Sequence, residues 1–341
     1  MSDKIRFAIV GAGVISPFHA KAIAGNPNAE LVAISDVDAD KAKKLASDLQ
    51  VADTYSDYEQ MLKRDDIDAI SICLPSGMHA DVAVAAAEAG KHIFCEKPLD
   101  ITVEKMDRMI KTARDRAVKL GVVYQRRTFP AAIATRKAIQ EGKLGKLVLG
   151  DAYLKYYRSP EYYKSAGWRG TWELDGGGAL MNQGVHGIDL IQWMVGDVDS
   201  VYAYAAPLVR DIQVEDTAVA VLKYKNGAFG VIQGTTSVYP GMETRFEVHG
   251  EKGTIIFGDS GIKEWKFLDS DEQAPDVEGT LAASSSATNI SADGHSILVE
   301  DLIQAIREDR DPYITGEEAS KAVKVILAIY ESARTGKEVK L

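Results

Sequence analysis

The chain has 341 residues, 46% hydrophobic and 26% charged, enough apolar material for a sizeable core and a length that suits two domains. Its formal net charge of -10 offers no general field to nucleic acid or an anionic membrane, so any phosphate must be held locally. The opening MSDKIRFAIVGAG is too short an apolar run for a signal peptide, and no stretch approaches about 18 uninterrupted apolar residues, so a cytoplasmic protein with neither nucleic-acid nor membrane partners is expected.

In chain order, the runs IRFAIVGAG, AELVAISD, IDAISICLP, KHIFCEKP and KLGVVYQRR are separated by helical patterns such as HADVAVAAAEAG and EKMDRMIKTARDRA. Strand then helix, repeated, predicts a parallel sheet covered on both faces. The runs are apolar throughout, as strands buried on both sides are.

Straight after the first run, IVGAGVIS places Gly11 and Gly13 ahead of a helical pattern. In a dinucleotide site the first glycine permits the tight turn and the second lets backbone approach the pyrophosphate. The helix N-terminus, here reached through Val14 and Ile15, supplies N–H donors and the positive end of a dipole. Ser16 stands at the third glycine's position, which loosens helix packing but leaves the phosphate site intact. The second run ends at Asp36, about 20 residues beyond the loop, where a carboxylate accepts hydrogen bonds from the adenosine ribose. Val37 and Asp38 offer no cation to a 2′-phosphate, so NAD is expected ahead of NADP. Residues 1–125 are therefore read as an N-terminal Rossmann dinucleotide-binding domain of α/β class.

Later strand ends should border the same crevice. Leu74 and Pro75 close the run ICLP, and His79 opens the next helix where the nucleotide would lie, with a structural helix-start role as the equal alternative. The run HIFC stops abruptly at Glu96, Lys97 and Pro98. Proline restricts the residue before it to extended geometry, and the bond is open to a cis form. Gln125, ending GVVYQRR, is a polar candidate on the nicotinamide side. Cys73 and Cys95 each sit near the end of an apolar run without CxxC or metal-ligand spacing, so buried reduced thiols are expected and no metal site is.

A helix FPAAIATRKAIQEG leads out of this unit, and from about residue 147 longer strands joined by turns take over, from KLVLGDAYLKYY to IKEWKFLD. The KNG at 225–227 predicts a tight hairpin, because asparagine and glycine accept positive φ. Residues 126–341 thus read as a C-terminal α+β domain with a large, mostly antiparallel sheet, its last helix free to pack back on the first domain. Ala218–Leu222 is apolar at successive positions, so water is expected to be excluded from both faces, by helices on one and a second subunit on the other. A homodimer or homotetramer follows. Residues 270–294 are small, polar and aperiodic, as in a mobile loop.

Within this second part, YLKYYRSPEYY is tyrosine-rich, and Tyr157 suits contact with a sugar, sheet packing being the alternative. GWRGTW holds Trp168 and Arg169. WELDGGGALMNQGVHGIDLIQWMVG runs through glycines into a helix on which Asn182, His186 and Asp189 follow at spacings of four and three, near one helix face.

Together, GAGVIS…HA, LPSGMHADVAVAAAEAG, GKHIFCEKPL, GGGALMNQGVHGIDL and the C-terminal IREDRDPYITGEEASKAVKVILAIYESARTGKEVKL resemble, nearly end to end, the oxidoreductase family of glucose-fructose oxidoreductase and inositol dehydrogenase (Gfo/Idh/MocA). The resemblance implies hydride transfer between NAD and a secondary hydroxyl or ketone of a sugar, sugar derivative or polyol. It implies that Lys97 shares or accepts the hydroxyl proton. A lysine, with an ordinary pKa of about 10.4, needs partial burial beside an oxidised nicotinamide to work near neutrality. Glu96 would orient it or meet the nicotinamide ribose. Trp168 and Arg169 would close over the cofactor. The family's helix supplies an aspartate and a histidine; this chain keeps His186 but has Asn182 at the aspartate's place. An amide hydrogen-bonds but takes no proton, so Asn182 is expected to position substrate, with Lys97 and His186 as acid and base. Two rivals stand beside this reading: a glycoside hydrolase that retains NAD, and a non-catalytic nucleotide-sensing regulator in which Lys97 and His186 would be unnecessary.

Overall fold

The structure is a computed structural model that describes residues 4–277 and 293–341. Of the loop expected over 270–294, residues 278–292 therefore lie outside the described residues. The chain divides into two compact units. One runs to Gln125 and takes up the later segment that ends at Ser320; the other begins at Arg126 and takes up Lys321–Leu341.

In the first unit, β1 (Ile5–Val10), β2 (Ala29–Ser35), β3 (Asp53–Tyr55), β4 (Ala69–Ile72), β5 (His92–Cys95) and β6 (Leu120–Val122) form a sheet in the order β3-β2-β1-β4-β5-β6. Every pairing is parallel. Phe7–Val10 and all of β4 are buried, which is why these runs carry apolar side chains at consecutive positions. The strand order reverses between β1 and β4, the place where open α/β sheets bind ligands beyond their carboxyl ends.

Register makes those ends level. Val10 pairs with Ser35 on one side and Ile72 on the other, Ile72 pairs with Cys95, and Cys95 with Val122. The residues that follow each strand therefore stand in one row along the sheet's edge. The returning helix Asp293–Glu308 packs on this unit against helix Ser16–Ala24 and β5. Both cysteines are free and buried, and burial pushes their thiols well above the ordinary range.

In the second unit, β7 (Leu147–Lys155), β8 (Val198–Ala206), β9 (Thr217–Tyr224), β10 (Phe229–Thr235), β11 (Arg245–Gly250), β12 (Gly253–Gly258), β13 (Gly261–Phe267) and β14 (Val339–Lys340) are ordered β13-β12-β11-β7-β10-β9-β8-β14. All pairs are antiparallel except β7 with β10. The expected hairpin joins β9 to β10, with Gly227 at φ 91° and its N–H on the Tyr224 carbonyl at 2.9 Å. Helix Val185–Val195 lies so close to this sheet that a Cβ on its Gly187 would stand 2.4 Å from Leu154.

The strand β9 alternates, with Ala218, Ala220 and Leu222 buried and Val219 and Val221 exposed. Helices cover one face of the sheet and, within one chain, nothing described covers those two valines. Among the described residues no helix is long and apolar enough to cross a membrane.

Candidate active site

The row of strand ends begins with the glycine loop. Gly11 turns at φ +99°, its N–H bonds the Ser35 carbonyl at 2.8 Å, and a Cβ there would lie 2.5 Å from the Cys73 oxygen. Only glycine fits this position. Gly13 differs, because a Cβ there would meet nothing within 4 Å. Packing within the chain does not demand that glycine. Val14 beside it is 66% exposed and Ile15 half-buried. Helix Ser16–Ala24, which begins there, has no side-chain cap, so no capping side chain takes up its first N–H groups. Asp36, just past β2, accepts from Ala12 N at 2.7 Å and Asp38 N at 2.8 Å, holding its carboxylate against the loop. Asp38 caps the next helix and pairs with Lys41 at 3.2 Å, so the nearby lysine is already engaged by an acid. This donor set fits an adenine dinucleotide without a 2′-phosphate.

Leu74 and Pro75, half-buried, follow Cys73 at the end of β4. His79 does not face outward from that turn. It is buried, with Nδ1 at 2.8 Å from the Pro98 carbonyl and Nε2 at 2.9 Å from the Leu74 carbonyl, so the ring sits between the two strand-end loops with a carbonyl against each nitrogen. The structural alternative is the one its geometry matches.

At the end of β5, Glu96 is buried and Lys97 half-buried, with a cis bond between Lys97 and Pro98. One carboxylate oxygen of Glu96, Oε1, lies 2.7 Å from His19 Nε2 and 3.2 Å from His295 Nε2; the other, Oε2, accepts the Lys97 backbone N–H at 3.0 Å. Burial opposes ionisation of Glu96, but the hydrogen bonds from the two imidazoles outweigh it and hold the carboxyl well below its usual range. Burial in turn holds His19 below the ordinary histidine range, so the resting pair is carboxylate and neutral imidazole. Gln125, half-buried, opens the short turn after β6. Two imidazoles and one carboxylate are also a metal-ligand set, as are Asp151, Glu247 and His249 in the second unit, but the shared Glu96 oxygen sits at hydrogen-bond distance from both rings.

In the second unit a π turn, Ala179–Gly184, precedes helix Val185–Val195. Asn182 lies in that turn. Its Nδ2 donates to Asp175 Oδ1 at 2.6 Å, while its Oδ1 accepts from Gln183 Nε2 at 2.6 Å and the Tyr162 hydroxyl at 3.3 Å. A carboxylate on one side and donors on the other fix which way the amide points. His186 is half-buried in the first helical turn. Asp189 does not share their surroundings; it is fully buried in a two-pronged pair with Arg127 at 2.8 and 2.6 Å. The expected polar stripe is split, because Arg127 draws the aspartate into the core while the π turn interrupts the regular helical spacing.

Arg169 lies over the Tyr162 ring at 4.2 Å and the Trp168 ring at 4.7 Å and donates to the Tyr162 hydroxyl. Tyr157 packs edge-on against Tyr239 at 5.2 Å and carries Arg210 over its face at 5.2 Å. Unanticipated from sequence is Glu215, buried, whose carboxylate accepts Gly178 N at 2.9 Å, Leu180 N at 2.8 Å and the Tyr330 hydroxyl at 2.9 Å. Burial pushes it up to about 7 despite these donors. His19, Asp175 and His295 were likewise missed. His19 lies within the quoted GAGVIS…HA pattern, but the partners of His19, His295 and Glu215 are distant in sequence, and no local spacing signals them; Asp175 meets Gly170 and Asn182 close by in the chain.

Two family models cover most of the chain. Residues 5–124 match the oxidoreductase family, NAD-binding Rossmann fold, and residues 136–341 match the oxidoreductase family, C-terminal alpha/beta domain. Among solved structures, the chain is similar to the WlbA dehydrogenase from Bordetella pertussis in complex with NADH and UDP-GlcNAcA, with TM-score 0.89, 37% identity and 99% of each chain covered. Among curated proteins it is 28% identical to the myo-inositol 2-dehydrogenase of Thermotoga maritima, over 99% of this chain and 98% of that one. It is 33% identical to the inositol 2-dehydrogenase of Rhizobium meliloti, over 74% of each.

Proposed function

Because the chain belongs to the oxidoreductase family with an NAD-binding Rossmann fold and a C-terminal alpha/beta domain, we propose that it is an NAD-dependent dehydrogenase of a sugar, sugar-derivative or polyol hydroxyl. The cofactor, when bound, supplies the hydride acceptor. The chain's residues do the rest. Gly11, Gly13 and the helix start after Val14 and Ile15 hold the pyrophosphate, Asp36 holds the adenosine ribose, and Leu74, Pro75 and Gln125 border the nucleotide. Lys97 takes the hydroxyl proton on oxidation and returns it on reduction. Asn182 orients the substrate hydroxyl through its fixed amide, His186 is the second acid–base candidate, and Trp168, Arg169 and Tyr157 are candidate contacts to cofactor or sugar.

The observation that carries this reading is the register of the first sheet, which sets Glu96–Lys97, after β5, in one row with the glycine loop after β1. Within that class a nucleotide-linked sugar acid is the substrate favoured, since the structure similar at 37% identity over 99% of the chain holds NADH and UDP-GlcNAcA. The outward apolar face of the second sheet supports a homodimer or homotetramer. Purified protein should form NADH from NAD with UDP-GlcNAcA in a panel that also contains myo-inositol and levoglucosan, and should do so less efficiently with NADP. No reduced cofactor with any compound would overturn the reading, and sugar release without net NADH would favour a hydrolase.

A further inference from the structure

We propose that His19 and His295 are positioning residues for Lys97, acting through Glu96, and that they tie the lysine to the helix that follows the glycine loop. The inference rests on the reading of Lys97 as the proton carrier.

Four buried side chains converge from separate parts of the first unit: His19 in helix Ser16–Ala24, Ser71 in β4, Glu96 after β5 and His295 at the start of helix Asp293–Glu308. Burial keeps His19 neutral, and its hydrogen atom can then be placed. A carboxylate only accepts, so both rings that meet Glu96 Oε1 must present Nε2–H to it. The Nδ1 of His19 is then a lone pair, and it lies 2.7 Å from the Ser71 hydroxyl, which donates. The Nδ1 of His295 is buried with no partner among the described residues.

That arrangement is a poor one for stability alone. It buries a carboxylate and leaves one ring nitrogen without a partner among the described residues, where apolar groups of the same volume would serve as well or better. Its geometry does suit placement. The two rings meet edge to face at 5.0 Å, His19 packs on Phe94 at 5.3 Å and His295 stacks on Phe18 at 6.3 Å, so neither ring has room to turn. They fix one oxygen of Glu96, and the other oxygen grips the Lys97 backbone N–H. His19 stands one turn inside the helix whose uncapped start faces the dinucleotide phosphates, so a shift of that helix on cofactor binding is passed to the lysine. His295 is what the chain's return to the first unit delivers to this lever.

The test uses full-length His295→Ala, His295→Gln and Lys97→Ala, with NAD and UDP-GlcNAcA as probes, alongside NADH titration followed by fluorescence. His295→Ala is expected to lose about tenfold to a hundredfold in kcat, with the KM for UDP-GlcNAcA little changed. His295→Gln, which keeps an N–H at similar reach, should recover most of the loss. Nitrogen NMR of the histidine rings in the unaltered protein adds a reading independent of folding of the variants: the two resonances lost in His295→Gln and His19→Gln should both report Nε2–H tautomers and both move when NADH binds. Lys97→Ala inactive beside His295→Ala at full kcat, or ring resonances unmoved by NADH, overturns the positioning role and leaves the dehydrogenase reading standing. Full turnover in Lys97→Ala overturns both.

Discussion

At Gly11 the backbone passes beneath the Cys73 carbonyl in a left-handed conformation, and the position admits neither a side chain nor a different φ without moving β4. Gly11→Ala should therefore cost about 1–3 kcal/mol in stability and weaken NADH binding, measured by thermal melting and fluorescence titration; an alanine variant that binds NADH as tightly as the parent would contradict this. Gly13 has space around it, so alanine there should leave melting unchanged and weaken NADH binding alone. The contrast between the two variants separates a glycine required by the fold from one required by the ligand. Both were legible in the sequence, because a glycine pair straight after a buried strand carries its own geometry. His79 was less so, since a histidine at a helix start reads the same whether its ring meets a nucleotide or, as here, two carbonyls.

On the scale of an element, the π turn Ala179–Gly184 is the segment whose behaviour should depend most on pH. Glu215 holds its start by two backbone N–H groups, and the carboxyl is raised from 4.5 to about 7 by burial. A raised folded value means that the protonated form is preferred in the native state, so the contribution is fully present below about pH 4.5 and is lost as pH rises through about 7. The full span amounts to about 3 kcal/mol. Melting temperature should fall from pH 5 toward pH 8 more steeply in the parent than in Glu215→Gln, where the side chain does not ionise; parallel curves would refute the assignment. This element also marks where sequence reading stopped. Spacings of four and three predicted one polar face, but the segment begins with a π turn whose start bonds Glu215, a residue that no periodicity of the segment itself records. The strand ending on Glu96–Lys97 was legible for the opposite reason: an apolar run halted by charge is a local signal, although the histidines that grip Glu96 are not.

For the molecule as a whole, the second sheet presents Tyr204 opposite Val219 and Phe229 opposite Leu149, with Val221 between, all exposed. Such a row is more apolar than an ordinary solvated sheet face and suits a second copy of the chain. Light scattering should report a dimer or tetramer, and Val221→Lys should shift it toward monomer without loss of fold; a monomeric parent would remove the sheet face from the account. The sequence anticipated both sheets, because strand-helix alternation gives way to longer strands joined by turns from about residue 147. It did not anticipate that helix Asp293–Glu308 groups with the first unit, since an amphipathic helix does not encode which sheet it covers. The most direct measurement of the central claim compares the parent with Lys97→Ala for NADH formation from NAD and the active sugar, with NADH affinity measured in parallel. A fall in kcat of about a hundredfold to ten-thousandfold with NADH affinity retained is the result expected. Undiminished turnover in the alanine variant would contradict the account.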